Sequence, residues 1–217
     1  LRYHARPIVV SNRTVITSIR VTGSKSAGFD HVTEWSFGAD GAVAALNRVK
    51  PFGTMPQALP RLGLSLKLSG DLENIEYYGR GPGENYVDRQ SASFVGRWKS
   101  TVRDLGEFYV RPQDNGYRSD VRWAAFTDDA GKGVKFAASK PLFLQALHYG
   151  WEDLEFARHR NGQQRFRAPL VEREELCVNL DIRQLGLGGA SCGPAPMAKY
   201  RFPIADEEWT IYLTPIK

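Results

Sequence analysis

Apolar residues recur at every second position along most of the chain. Leu62, Leu64, Leu66 and Leu68 alternate with Gly63, Ser65 and Lys67, and Leu176, Val178, Leu180 and Ile182 alternate with Cys177, Asn179, Asp181 and Arg183. Trp209, Ile211 and Leu213 alternate with Thr210, Tyr212 and Thr214. A period of two places one face of a strand on a core and the other toward water. Nearer the start, Val15, Ile19 and Val21 share one face, while Thr14, Ser18, Arg20 and Thr22 mostly take the other. Residues 121–126 and 134–138 flank the loop Asp128-Asp129-Ala130-Gly131-Lys132-Gly133, which predicts an antiparallel hairpin with more than a two-residue turn. Helical signal is confined to 151–158, ended by Asn161-Gly162, and to a short turn near Glu84-Asn85-Tyr86. Residues 51–60 carry three prolines and a glycine and read as a crossover between sheets. The pattern predicts an all-β chain, a sandwich or barrel forming one unit over residues 1–217.

The composition supports a packed fold: 217 residues, 42% hydrophobic and 12% aromatic. At this size roughly 70% of the unfolded surface is buried, enough for a core without disulfide staples. No run approaches the ~18 apolar residues of a membrane helix, and the first residues do not show the basic, apolar and small-residue series that would read as a signal peptide. A soluble chain with no membrane partner is expected, with cytoplasm and periplasm left open. The first residues, Leu1-Arg2-Tyr3-His4, read as the interior of a longer polypeptide. Cys177 and Cys192 form no Cys-x-x-Cys pair, and His4, His31, His148 and His159 lie far apart. No metal site is expected, and two free thiols fit better than a disulfide. The net charge of +5 comes with 20 Arg against 9 Lys, scattered without a run. That argues against a nucleic-acid partner, which would need a basic stripe. Arginine forks more often pair with carboxylates and polar ligands.

Three stretches carry candidate chemistry. In Gly79-Arg80-Gly81-Pro82-Gly83-Glu84-Asn85-Tyr86-Val87-Asp88-Arg89, three glycines and a proline around one arginine force an irregular backbone. It reads either as a sugar-contacting or interface loop, or as a loop whose polar side chains satisfy their own backbone. It is no nucleotide loop, because Glu84 stands at the sixth position where a glycine is needed and would repel phosphate. Pro112-Gln113-Asp114-Asn115-Gly116 reads as a structural turn. Gln184-Leu185-Gly186-Leu187-Gly188-Gly189-Ala190-Ser191-Cys192-Gly193-Pro194 would let backbone approach a ligand or another domain, or serve as a flexible loop. The letters Gly189-x-Ser191-x-Gly193 match a nucleophile elbow, but Pro-Ala-Pro follows rather than a helix. Twenty-four acids are present, and spacing pairs no two of them as glycosidase carboxyls.

In order, these stretches resemble the C-terminal domain of β-galactosidases of glycoside hydrolase family 2. Residues 79–89 match the family pattern Gly-x-Gly-Pro-x-Glu-Asn-Tyr-x-Asp-Arg at every fixed position. Pro60-Arg61-Leu62-Gly63-Leu64 is similar to the family's strand entry, residues 112–116 to its Pro-x-Glu/Asp-Asn-Gly turn, and Asp181-x-x-Gln184-x-Gly186-x-Gly188-Gly189 to its last motif. The resemblance runs from about residue 55 to the end, with residues 1–54 a weaker fit to the first strands of the same domain.

The resemblance implies a large antiparallel β-supersandwich similar to galactose mutarotases. It also implies that the catalytic glutamates, and magnesium and sodium ions of the parent enzyme, belong to a (β/α)₈ barrel outside this chain. No catalytic, metal or cofactor residue is therefore expected here, and the fragment alone is expected to be inactive. Gly188, Gly189, Ser191 and Cys192 would face a galactoside, and Arg80, Glu84, Asn85, Asp88 and Arg89 would support that loop. The expected partners are the galactoside, the preceding domains including the barrel, and further copies in a homo-oligomer. Some family members place a tryptophan in the loop as an apolar platform, where this sequence has Cys192, which offers less stacking surface. Two rivals remain: an aldose epimerase using His148 and Glu174, and a carbohydrate-binding module. The second needs exposed aromatics, whereas Trp123 and Trp209 fall on predicted core faces.

Overall fold

A computed structural model describes residues 2–23, 26–109, 112–154, 170–189 and 193–217. The strands are β1 (Arg2–Ala5), β2 (Val9–Ser11), β3 (Thr14–Thr22), β4 (Gly28–Phe37), β5 (Val43–Phe52), β6 (Arg61–Leu68), β7 (Asn74–Gly81), β8 (Phe94–Thr101), β9 (Arg118–Thr127), β10 (Gly133–Leu147), β11 (Leu176–Gln184) and β12 (Glu207–Ile216). One short helix, α1 (Val102–Leu105), follows β8, and the hydroxyl of its cap Thr101 accepts from the Asp104 amide at 3.1 Å. None of the described helices is long and apolar enough to cross a membrane.

Every named pairing is antiparallel, in the order β1-β3-β4-β5-β12-β10-β9-β7-β8. The predicted hairpin is β9–β10, and its loop closes through the Lys132 amide on Asp128 Oδ1 at 2.8 Å. The fifteen-residue β10 belongs to two ladders. Its first half, 133–138, lies between β9 and β12; its second half, 143–147, pairs with β11, which in turn pairs with β6. The β9 register shifts between Ala137 and Leu142, around Pro141, a residue with no amide hydrogen for a continuous ladder. Residues 53–60 carry the chain from β5 to β6, which is not its sheet neighbour, so the proline-rich segment is a crossover.

Both ladders bury their apolar positions in one cluster. Trp209 and Ile211 of β12, Phe136 and Leu144 of β10, Phe126 of β9, Tyr77 of β7, and Leu176 and Leu180 of β11 all lie within it. The β6 leucines, half-buried, pack against the same cluster.

Helix occupies 151–154 of the segment expected from 151 to 158, and residues 155–158 lie outside the described ones. The turn expected near Glu84-Asn85-Tyr86 begins at Tyr86, whose carbonyl accepts the Arg89 amide at 2.8 Å. One local expectation changes. Trp123 is not on the core face. It is half-buried across from Tyr78, on the side opposite Ala124 and Phe126, with Lys135 Nζ 4.5 Å from its ring centroid. The β9 irregularity between Val121 and Trp123 resets the alternation there, so a strict period of two assigns the wrong face.

Phe136 meets Phe126 edge-on at 5.9 Å inside this cluster. Phe136→Ala is expected to lower unfolding free energy by about 3–5 kcal/mol, and Tyr212→Ala, at an exposed position, by well under that. Urea unfolding midpoints check this; equal losses for the two variants would misplace the core.

Candidate functional site

The arginine-glycine loop after β7 is fastened at almost every polar position. Asn85, fully buried, donates through Nδ2 to the carbonyls of Arg80 (3.1 Å) and Gly83 (3.0 Å). Its Oδ1 accepts from the Ser119 amide (2.8 Å) and hydroxyl (2.5 Å), and its own amide donates to the Tyr117 carbonyl (2.8 Å). No polar atom of this side chain is left without a partner, as burial demands. Glu84 accepts from the Gly116 amide (2.8 Å), from Tyr86 (3.1 Å) and from the Tyr109 hydroxyl, tying the loop to the Asp114-Asn115-Gly116 turn. The Tyr109 hydroxyl is pushed up to about 12, chiefly by this bond, which is lost on deprotonation; burial pushes the Tyr86 hydroxyl upward. Arg80 donates to Asp120 Oδ2 at 2.5 Å and to the Ser93 carbonyl at 3.0 Å. Asp120 has a positive φ of 53°, an unfavourable conformation that the Arg80 bond and the Arg122 bond to its carbonyl (2.6 Å) help to hold.

The other end of the motif reaches the glycine-rich segment about a hundred residues away. Asp88 accepts the amides of Leu187 (3.0 Å) and Gly188 (2.7 Å), one on each carboxylate oxygen, and Arg89 donates to the Gly188 carbonyl at 2.8 Å. A Cβ at Gly186 would stand 2.8 Å from the Asp88 carboxylate, and Gly188 has a φ of +58°, so both positions suit glycine. The Gly189 amide donates to the Pro194 carbonyl at 3.0 Å. The structure thus brings Asp88, Arg89, Gly188 and Gly189 together, and places Arg80, Glu84 and Asn85 on the neighbouring 116–120 segment. Ser191 and Cys192 lie outside the described residues. Cys177, on β11, is a free thiol whose burial pushes its pKa up.

Beneath this loop runs a second polar chain that the alternation pattern does not reveal. Asp181, only 3% exposed, accepts from the Tyr117 hydroxyl at 2.8 Å; Arg61 donates to that same hydroxyl oxygen at 2.5 Å and to Asp114 at 3.3 Å. Gln145 donates to Asp114 Oδ1 (2.6 Å) and accepts from Asn179 (2.6 Å), which in turn accepts from Ser65 (2.5 Å). Burial pushes the Asp181 carboxyl up to about 7, against the pull of Arg61 and of the Tyr117 bond. Gly63 allows this approach, since a Cβ there would come within 2.4 Å of Asp181 Oδ1. Arg118, equally buried, is solvated by carbonyls: Pro82 at 2.8 Å and Gly116 at 3.0 Å. Asp181 and Arg61 stand in the motifs, but their pairing depends on the crossing of β6, β11 and the 112–117 turn. Tyr117, Arg118, Ser119 and Asp120 carry no sequence signal beyond their place after that turn.

His148 and Glu174 do not form a pair. His148 Nε2 lies 2.8 Å from Glu73 Oε2, and the His148 carbonyl accepts the Arg173 amide. Among the described residues no three His, Cys, Asp or Glu side chains converge as metal ligands. Among the described residues, the bonds of this arrangement hold backbone in place.

An antiparallel β domain with a carboxylate-clamped glycine loop is thus the class that fold and site define. The chain belongs to the β-galactosidase small chain family, whose pattern it matches over residues 4–213. It is 29% identical over 191 residues to a β-galactosidase of Priestia megaterium, covering 87% of this chain and 18% of that protein. It is 34% identical over 155 residues to β-galactosidase BgaC of Bifidobacterium adolescentis, covering 70% of this chain and 14% of that protein. The chain therefore spans less than a fifth of the length of these curated relatives. In structure it is similar to a GalM/aldose epimerase homologue from C. elegans, with a TM-score of 0.47 and 9% identity over 97% of this chain and 68% of that one.

Asp181 gives a pH prediction. Its folded value of about 7 lies above the ordinary 3.8, so its contribution to stability is complete below about pH 4 and is lost as pH rises through 7. Asp181→Asn does not titrate. Relative to the native chain it should gain about 2–4 kcal/mol between pH 4 and pH 7 and stay level above that. Thermal unfolding across this range reads the difference; a flat difference would mean that Asp181 titrates as an exposed carboxylate.

Proposed function

We propose that this chain is the C-terminal domain of a β-galactosidase that hydrolyses terminal non-reducing β-D-galactose residues from β-galactosides. Its part is to close one side of the sugar pocket and to support assembly of a homo-oligomer. The catalytic carboxylates, and any magnesium or sodium ion, belong to the other domains, a (β/α)₈ barrel among them, and this chain alone does not hydrolyse. The observation that carries the reading is the Asp88–Arg89 clamp on Gly188. Three bonds from one motif hold a loop that has no side chain at two successive positions, so polar backbone can approach a sugar without being free to move.

Within this reading Gly188, Gly189, Ser191 and Cys192 face the galactoside, and Arg80, Glu84, Asn85, Asp88 and Arg89 act as positioning residues behind them. Cys192 in place of an indole gives a weak aglycone platform and a site tolerant of varied aglycones.

The reading is tested on the full polypeptide with lactose and nitrophenyl β-galactoside. Asp88→Ala should cut kcat/KM for both by about tenfold or more, since removing a carboxylate that accepts two amides frees the loop. Absence of β-galactoside hydrolysis by the unaltered polypeptide would sink the assignment. Cys192→Trp should lower KM for the aryl galactoside more than for lactose, and unchanged kinetics on both would remove the platform role.

A further inference from the structure

The sheet face turned away from the core carries a line of aromatic and small residues. Cross-strand register sets Tyr78, Trp123, Ala137, Tyr212 and Ala44 side by side over β7, β9, β10, β12 and β5. Their chain neighbours Tyr77, Ala124, Phe136, Ile211 and Ala45 are buried, so the line itself faces outward. Four steps between strands carry it about 19 Å across the sheet. At the β5 end it runs into an open cleft of about 360 Å³ lined by Phe37, Tyr212 and Ala44. Phe37 is 43% and Tyr212 45% exposed, and Ser36 and Thr214 add hydroxyls to the same cleft. Lys135 stands directly across from Thr214, next to this cleft.

The cations along the line rest on rings. Lys135 Nζ lies 4.5 Å and the Arg97 guanidinium 5.6 Å from the Trp123 ring centroid, and the Arg122 guanidinium lies 5.3 Å from that of Tyr78. Arg97 and Lys99 share Glu76, and Arg80 pairs with Asp120. Among the described residues Lys135 and Arg122 pair with no carboxylate, which leaves the strip with an excess of positive charge. A cation resting on a ring keeps its charge and its outward N–H donors, while the ring restricts where it can point.

We propose that this strip binds an acidic polysaccharide rich in uronic acids, with a pyranose ring in the cleft against Phe37 and Tyr212 and carboxylates further along the chain on Lys135 and Arg122. An exposed ring beside hydroxyls fits a pyranose, which has an apolar C–H face and a hydroxyl-bearing edge. Charge complementarity selects an acidic chain over a neutral one, because unpaired cations offer charge-assisted bonds to carboxylates. The line of positions across the strands suits several linked rings rather than one. A nucleic acid fits less well: base stacking uses open ring faces in succession, and the Trp123 and Tyr78 rings already carry cations. The proposal goes beyond the reading under Proposed function and stands whether or not that reading does.

Native electrophoresis of the full polypeptide through gels containing polygalacturonate tests this. Retardation should be several-fold stronger than in gels containing the neutral polymer dextran. Lys135→Gln should weaken it about fivefold or more, and Lys135→Arg should retain it. Tyr212→Ala, at an exposed position, should weaken it about threefold or more. Lys67→Gln, the same loss of charge on β6, should leave it unchanged. Equal retardation of the unaltered polypeptide by polygalacturonate and dextran would overturn the proposal. Full retention by Lys135→Gln or by Tyr212→Ala, or a loss with Lys67→Gln as large as that with Lys135→Gln, would also overturn it. Equal or stronger retardation by polyuridylate overturns it in favour of a nucleic-acid surface. Galactoside hydrolysis is measured on the same sample. Hydrolysis without retardation defeats this proposal alone, and retardation without hydrolysis defeats only the assigned activity.

Discussion

The candidate site depends on polar groups that have left water and must find partners inside the protein. A buried amide or carboxylate without a partner costs on the order of 1–3 kcal/mol, so each one restricts what its neighbours can do. Asn85 uses both amide hydrogens and both carbonyl lone pairs on Arg80, Gly83 and Ser119. Moving the 82–85 loop would break all of these together. Glu84 binds the Gly116 amide, Arg118 the Pro82 carbonyl, and Asp88 the Leu187 and Gly188 amides, so three separate segments share one set of bonds. Such a network is unforgiving: satisfied it specifies one arrangement, and half-satisfied it would be worse than an apolar core.

The apolar core sets where this network can sit. β10 is the common member of two ladders, and Phe136 and Leu144 on its two halves belong to the same cluster. Its second half carries Gln145, which joins Asp114 to Asn179. β11 carries Leu180 into the core and, at the next position, Asp181 into the polar chain. The register shift between Asp181 and Arg183 lets the strand bury residues of both parities there. Hydrophobic packing holds the two ladders together, and the polar chain then fixes the loops at their end.

This division explains what was legible in the sequence. Strand positions were readable wherever one face meets the core and the other meets water, as in β6 and β12, because alternation records that asymmetry directly. It failed at Trp123 and at Asp181, where an irregular ladder or cover on both sides breaks the link between parity and burial. The three motif stretches were readable as unusual, since glycine and proline at close spacing leave few backbone choices. What joins them was not. The bonds Glu84–Gly116 and Asp88–Gly188 span 32 and 100 positions in sequence, and nothing local to either end encodes the other. Tyr117 and Arg118 resemble any aromatic-basic pair at the start of a strand until the surrounding carbonyls and carboxylates are in place.

The clamp also has a kinetic meaning that a bare glycine loop lacks. Glycines at 186, 188 and 189 allow backbone to approach closely, but each brings conformational freedom that a ligand would have to suppress on binding. Asp88 and Arg89 suppress it beforehand, and they stand on a loop that Asn85 and Arg80 already fix to β9. Rigidity is passed from the core, through buried side-chain bonds, to a segment that contributes little packing of its own. A substitution at Asp88 should therefore leave the sheet intact and still alter the loop. Loss at Asn85 should disturb both, because that side chain lies where the core's order is handed to the site.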